Sequence, residues 1–392
     1  MSGEGYGILA AMRIAFLGAG AMGGAAARLA ARRPDVEPLV LDYDRSRGER
    51  VVEEIGRGEA RQADVESGGL ETALKDAEAV AACLPYRLNL RVMEAALAAR
   101  CPYADLGGLY HVTLEQLQLD RRFRDAGVPA VLGIGMAPGI TNLLARMGAD
   151  RLSEVDSVDL FNGSVERGGG FGVPYSAETI LDEFTKPAMV YEDGQLKEVP
   201  AASGGVRFEF PEPIGEMEAV YTLHSEIATL PATIPGVRNV RWRLALPPDV
   251  ETGFRLLANL GLSSEQPVET SGGPVVPREL LVGVLNRLAQ TNGGPRDVEA
   301  TVVRVTGTRE GRRATFEGTV FVEPPPEGIT AGAFGTALPI AIAAPWLAEG
   351  KVEPGVHPPE TAFSAEEFME AYAAEGPRVR ISLEEELPGP PR

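Results

Sequence analysis

Apolar residues recur along the first third of the chain in two alternating rhythms. Short runs of small or branched apolar residues stop at glycine, proline or aspartate, and amphipathic stretches follow them. The short runs predict strands at Arg13–Leu17, Leu39–Leu41, Ala60–Val65, Ala79–Leu84, Tyr103–Leu106 and Pro129–Leu132. The amphipathic stretches predict helices at Ala25–Arg32, Arg45–Ile55, Leu70–Ala77, Leu88–Ala99 and Thr113–Ala126. Strand and helix in strict alternation imply an α/β fold with a doubly wound parallel sheet.

After about Asp150 the rhythm changes. Val155–Asn162, Ala188–Tyr191, Val206–Phe210 and Asn239–Leu246 read as strands separated by turns. Val298–Gly307 and Arg313–Val322 alternate around Thr308–Arg312, a hairpin pattern, and Pro277–Ala289 reads as a helix. This second half is α+β in character. Pro324-Pro325-Pro326 marks a border. The uncharged run Ile329–Ala348 has the length of a membrane span. Pro339, Pro345 and its small polar breaks make it a buried helix of a soluble protein instead. Ser364 and Glu367 have capping-box spacing at the head of a helix reaching Ala373. The end from Glu384 reads as a solvated tail.

Length and composition narrow the class. A chain of 392 residues with 44% hydrophobic and 24% charged residues is globular and long enough for two domains. The net charge of −19 repels phosphate backbones, which argues against nucleic-acid binding. Two cysteines, Cys83 and Cys101, form no disulfide framework and fit a reducing cytoplasm. Met1–Ala10 lacks the basic and apolar regions of a signal peptide. The three histidines show no metal-ligand spacing, so no metal is expected.

One motif gives the first half a chemistry. Gly18-Ala19-Gly20-Ala21-Met22-Gly23 has GxGxxG spacing, follows a strand and opens a helix. Asp42 ends the next strand, about 20 residues on, where the dinucleotide fingerprint places its acidic residue. The expectation is a Rossmann domain holding a nicotinamide dinucleotide. Asp42 would accept from the ribose hydroxyls and favours NAD. Arg45 and Arg47 leave NADP open. The expected division is a Rossmann domain over 12–145, a substrate and dimerisation domain over 146–326, a returning helix over 327–360, and a terminal helix with an acidic tail over 361–392.

Ligands of such sheets bind beyond the carboxyl ends of the strands. Leu84 and Pro85 follow the fourth strand and flank the cofactor. Tyr86, next in line, could hydrogen-bond a substrate or simply pack. Asp105, after the fifth strand, is the first candidate for a catalytic carboxylate. It could equally cap the Gly107-Gly108 turn. His111 could move protons near neutral pH or cap a helix. After the sixth strand, Met136, Pro138, Gly139 and Asn142 lead into a helix.

These residues together resemble the saccharopine dehydrogenase-like oxidoreductases. LGAGAMG, YADLGG at Tyr103–Gly108 and GIGMAPGITNLLA at Gly133–Ala145 carry the likeness. So do Tyr175–Ala201 and the closing GTALPIAIAAPWLAEGKVEPGVHPPE, and the match runs from about Arg13 to Glu360. The resemblance implies a substrate-binding domain that dimerises, and NAD-dependent hydride transfer at the C–N bond of lysine or a lysine-derived amine. Within the family it points to the lysine 6-dehydrogenases. Alternatives are saccharopine or carboxynorspermidine dehydrogenases acting on a conjugate, and a non-catalytic NAD-binding regulator. The resemblance places Asp105, Pro138, Gly139 and Asn142 at the nicotinamide–substrate junction, with Ser176 and Glu178 approaching from the second domain. Substrate carboxylates would need an arginine clamp, for which Arg241, Arg243, Arg167 and Arg278 are candidates. Members commonly carry a threonine-x-arginine-tyrosine-x-glycine-histidine stretch. Here that region reads RWRLALPPDV, Arg241–Val250, and the glycine-rich patch before it reads LHSEIATL, Leu223–Leu230.

Overall fold

The structure, a computed structural model, describes residues 11–166, 176–291 and 297–385. Six strands of the first sheet are β1 (Met12–Leu17), β2 (Val36–Asp42), β3 (Glu59–Gln62), β4 (Ala79–Ala82), β5 (Tyr103–Asp105) and β6 (Pro129–Val131). They lie in the order β3-β2-β1-β4-β5-β6, all parallel, the order of a dinucleotide-binding sheet. A seventh strand, Gly355–His357, pairs in parallel with β6 from more than two hundred residues downstream.

The helices match the expected amphipathic stretches with three differences. The helix expected over Leu70–Ala77 ends at Leu74. The helix after the glycine loop starts earlier, at Ala21, because the loop itself turns directly into it. The stretch expected as one helix over Thr113–Ala126 is two, Leu109–Leu117 and Asp120–Ala126. The second is re-started by Asp120, whose carboxylate also accepts from Val356 N–H at 3.0 Å and so anchors the seventh strand.

Among the described residues the second sheet has nine strands. Its centre is the long strand Glu154–Glu166, flanked by Asn239–Ala245 in parallel and Asp297–Arg309 antiparallel. The predicted hairpin forms between Asp297–Arg309 and Arg312–Val322. Arg378–Glu385 adds an antiparallel edge to it, so the chain expected to be solvated from Glu384 begins inside a strand. Val379, Ile381 and Leu383 alternate with Arg378, Arg380 and Ser382 there, a period-two signal that the flanking charges obscured.

Alternation decides how the sheets meet. Ala15, Leu17, Leu39, Leu41 and Tyr103 face one core. Ile14, Phe16, Val40, Ala81 and Ala104 face another, which they share with Leu160, Trp242, Val303 and Phe316 of the second sheet. The helix Ala331–Ala348 fills that shared core. It is long and apolar enough to cross a membrane, yet 78% of it is buried in the protein. Its two prolines and its alanines let it lie against the helix Ala21–Ala30. The opposite face of the second sheet closes on its own phenylalanine cluster, where Phe161 stacks on Phe208 with ring centroids 3.9 Å apart.

Candidate active site

The turn after β1 is built for close approach. Gly18 sits at φ +96°, and a Cβ there would lie 2.7 Å from the Cys83 carbonyl oxygen and 2.9 Å from Leu84. A Cβ at Gly23 would overlap the Gly18 carbonyl. Gly20 differs. It is exposed, and a Cβ there would meet no protein atom within 4 Å. Nothing in the chain requires glycine at 20, whereas a pyrophosphate approaching the backbone does. Gly20 caps the helix Ala21–Ala30 without a side-chain bond, and no acidic residue occupies its first turn. The free amides of Ala21, Met22 and Gly23 therefore form an anion-binding terminus. The residues fit a dinucleotide.

Asp42 is buried and turned toward this loop. One carboxylate oxygen accepts from Ala19 N–H at 2.7 Å and the other from Asp44 N–H at 2.9 Å. Each keeps a lone pair for a ribose hydroxyl. Beyond it Tyr43 is 65% exposed, with the Arg47 guanidinium 5.9 Å from its ring centroid. Arg45 is paired with Glu49.

Asp105, at the end of β5, has no solvent exposure. Its Oδ1 accepts from Gly107 N–H at 2.8 Å and Gly133 N–H at 2.7 Å. Its Oδ2 accepts from Tyr103 Oη at 2.8 Å, Gln116 Nε2 at 2.6 Å and Asn89 Nδ2 at 3.2 Å. Burial pushes its pKa up, and these donors partly offset the rise. A carboxylate offers about four acceptor positions, and five donors occupy them. The geometry argues against Asp105 as the proton acceptor. It welds the β5 and β6 turns together, the capping alternative read in the sequence.

The other junction candidates sort in the same way. Asn142 is buried. Its Oδ1 accepts from Gly139 N–H, and its Nδ2 donates to Glu360 at 2.8 Å and Thr229 at 3.3 Å. That leaves it a strut between the β6 turn and two distant segments. Pro138 packs its ring against Gly107 and Gly133, which keeps the two turns in contact. Met136 points into the shared core beside Gly335 and Tyr372. His111 is exposed on the helix Leu109–Leu117, edge-on to Tyr110.

Tyr86 is where the two halves converge. Its hydroxyl donates to Asp182 Oδ2 at 2.6 Å, and Lys186 Nζ donates to the same hydroxyl at 3.1 Å. Asp182 is also held by Arg278 at 3.0 Å. Burial and the Asp182 bond raise the phenol pKa, so the group stays protonated. Burial alone would lower the Lys186 pKa, but Tyr86 and Asp182 outweigh it and keep the ammonium charged. Glu178 pairs with Arg87 beside this cluster. Ser176 caps the helix Ala177–Thr185 by accepting from Thr179 N–H at 3.4 Å, so its side chain serves the backbone.

LHSEIATL, noticed in the sequence only as a departure, supplies a buried cluster against the β5 and β6 turns. Ser225 accepts from Thr113 at 3.3 Å. His224 is bonded through Nδ1 to Glu226, faces Glu183 at 4.0 Å and stacks on Trp242 with centroids 4.0 Å apart. Thr141 donates to the other Glu226 oxygen at 2.7 Å. Burial works to lower the His224 pKa, and the Glu226 charge and bond more than reverse it.

Strand parity puts Arg241 and Arg243 on the face of the second sheet away from the shared core, which Trp242 faces. Arg241 pairs there with Glu192 at 3.0 Å, and Arg243 donates to Tyr221 Oη at 2.6 Å. Arg167 lies outside the described residues.

Comparison with known proteins agrees with this architecture. Residues 14–131 match the model of the saccharopine dehydrogenase NADP binding domain, and 135–376 match the saccharopine dehydrogenase C-terminal domain. Carboxynorspermidine synthase of Vibrio cholerae serotype O1 is 26% identical over 336 residues, spanning 78% of this chain and 80% of the relative. Carboxyaminopropylagmatine dehydrogenase of Synechocystis sp. is 23% identical over 366 residues, spanning 86% and 89%. The L-Glu-forming saccharopine dehydrogenase of Saccharomyces cerevisiae superposes with a TM-score of 0.71 at 15% identity, over 95% of this chain and all of that one. With both family domains present in order around a glycine loop that fits NAD or NADP, the chain belongs to the saccharopine dehydrogenase family of oxidoreductases.

Proposed function

We propose that the chain reductively couples an amine to a carbonyl compound, giving a secondary amine that bears a carboxylate and a further cationic nitrogen. Two relatives are named for compounds that join a carboxyl group to a polyamine or to agmatine. That supports the conjugate reading over lysine itself. The observation that carries the proposal is the 2.6 Å bond from Tyr86 to Asp182, with Lys186 at 3.1 Å. It puts a protonated phenol beside Leu84, which touches the glycine loop.

The dinucleotide supplies hydride. The chain's residues handle protons and charge. Tyr86 gives its proton to the hydroxyl that leaves as water when amine and carbonyl condense, and the Lys186 ammonium stabilises the phenolate left behind. Asp182 is already paired with Lys186 and Arg278, so a cationic substrate nitrogen would have to displace one of them to reach it. Arg278, paired with Asp182, is the candidate in this reading to exchange that partner for a substrate carboxylate. Asp105 and Asn142 hold the floor rigid. A homodimeric assembly is part of this reading.

The test follows reduced dinucleotide with purified enzyme. A diamine together with a carboxylate-bearing aldehyde or a keto acid should consume NADPH or NADH. Oxidation of L-lysine by NAD, with no coupling activity, would return the assignment to lysine.

A further inference from the structure

The helix Pro277–Thr291 leaves one side without cover. Leu281 and Leu285 are buried, whereas Glu279, Leu280, Gly283, Val284 and Arg287 are exposed. Leu280 is 57% and Val284 55% exposed. At 100° per residue these five positions form a single stripe. Gly283 is its middle, and a Cβ there would meet nothing within 4 Å. A glycine inside a helix costs about 1 kcal/mol against alanine, and no contact among the described residues requires it.

We propose that this stripe is an antiparallel contact with a second copy of the chain, crossing at Gly283. The charge pattern selects that occupant. Glu279 lies four residues before Gly283 and Arg287 four residues after it. A two-fold axis through Gly283 therefore sets each Glu279 opposite the other copy's Arg287, twice per dimer. Within one helix the two side chains stand about 12 Å apart along the axis and do not meet. Glycine at the crossing lets the backbones approach at the short end of helix spacings, about 8 Å. Leu280 and Val284 of each copy then flank the crossing and lose their exposure. The contact lies on the helix that presents Arg278 to Asp182, so dimerisation would brace that arginine.

The experiment is sedimentation velocity of the full chain over a concentration series. The wild type should be dimeric. Glu279→Arg and Arg287→Glu should each raise the dimer dissociation constant at least tenfold, by setting like charges face to face. The double reversal should bring it back to within about threefold of wild type. Gly283→Cys should form a disulfide between copies under mild oxidation, with Cys83 and Cys101 unchanged as internal controls. A monomer at every concentration, a dimer insensitive to either single reversal, or a double reversal no tighter than the singles would overturn the proposal.

Discussion

Tyr86 and Asp182, ninety-six residues apart, share a 2.6 Å hydrogen bond that joins the end of β4 to the helix Ala177–Thr185. Removing only the hydroxyl tests what it does. Tyr86→Phe loses the bonds to both Asp182 and Lys186, about 2–3 kcal/mol of stability. If the phenol donates a proton, kcat falls about 10²-fold or more and the limb of its pH profile at high pH disappears. A purely structural tie would leave kcat within about threefold.

Asp105→Asn should do the opposite. The new amide turns a donor toward either two backbone N–H groups or the Asn89, Tyr103 and Gln116 side chains. Leaving buried donors unpaired costs about 2–4 kcal/mol, read as a lower denaturant midpoint at unchanged slope. The correctly folded fraction should keep its pH profile. Loss of the profile's acidic limb without loss of stability would reinstate Asp105 as the base.

Gly20→Ala and Gly23→Ala separate cofactor from fold. At Gly20 the added methyl enters space that the chain leaves open. The melting temperature should hold while the dissociation constant for the dinucleotide rises at least tenfold. At Gly23 the methyl strikes the Gly18 carbonyl, so both stability and binding should fall.

Arg47 decides between the two dinucleotides in this reading. It lies over the exposed ring of Tyr43, just past Asp42. Arg47→Ala should raise KM for NADPH about tenfold and leave KM for NADH unchanged. Equal effects on both would leave the arginine without a role in recognising a 2′-phosphate.

Glu299 makes stability depend on pH. One carboxylate oxygen accepts from Asn162 at 2.8 Å, and the other is sealed without a partner among the described residues. Burial pushes its pKa up from 4.5 to about 7. The folded state therefore keeps a proton that the unfolded state has lost between those values. This site contributes most stability below pH 4.5, loses it as pH rises to 7, and is flat above. The full loss is about 3 kcal/mol. Glu299→Gln should gain stability relative to wild type at pH 8 and gain nothing at pH 4.5, measured by chemical unfolding at both.

The first sheet was readable because its central strands hold short apolar runs, IAFL in β1, LVL in β2 and AVAA in β4, with punctuation near their ends, whereas β3 (EARQ) was displaced from its expected bounds. Arg45–Ile55 matches to the residue, since Asp44 caps its start and Gly56 its end. Gly355–His357 was not readable. Three residues carry no period, and only its distant neighbour β6 makes it a strand. The glycine loop was legible for the same local reason, its spacing being fixed within one turn. The Tyr86–Asp182–Lys186 and His224–Glu226–Thr141 groups were not. Each joins segments whose proximity depends on how the two sheets stack. Arg241 shows the converse: parity along Asn239–Ala245 was legible and puts it opposite Trp242, but which face packs into the shared core depends on how the sheets stack.

The seventh strand also sets an order on synthesis. Between Val131 and Gly355 the ribosome must deliver 223 residues, including the whole second sheet's centre. Until then β6 is an open edge, and the helix Ala331–Ala348 has not reached the apolar face it covers. The nascent chain thus carries a nucleotide-binding sheet that lacks its seventh strand through most of its translation. Completing that sheet waits until most of the substrate half has emerged, and the edge strand Arg378–Glu385 of the second sheet still follows it.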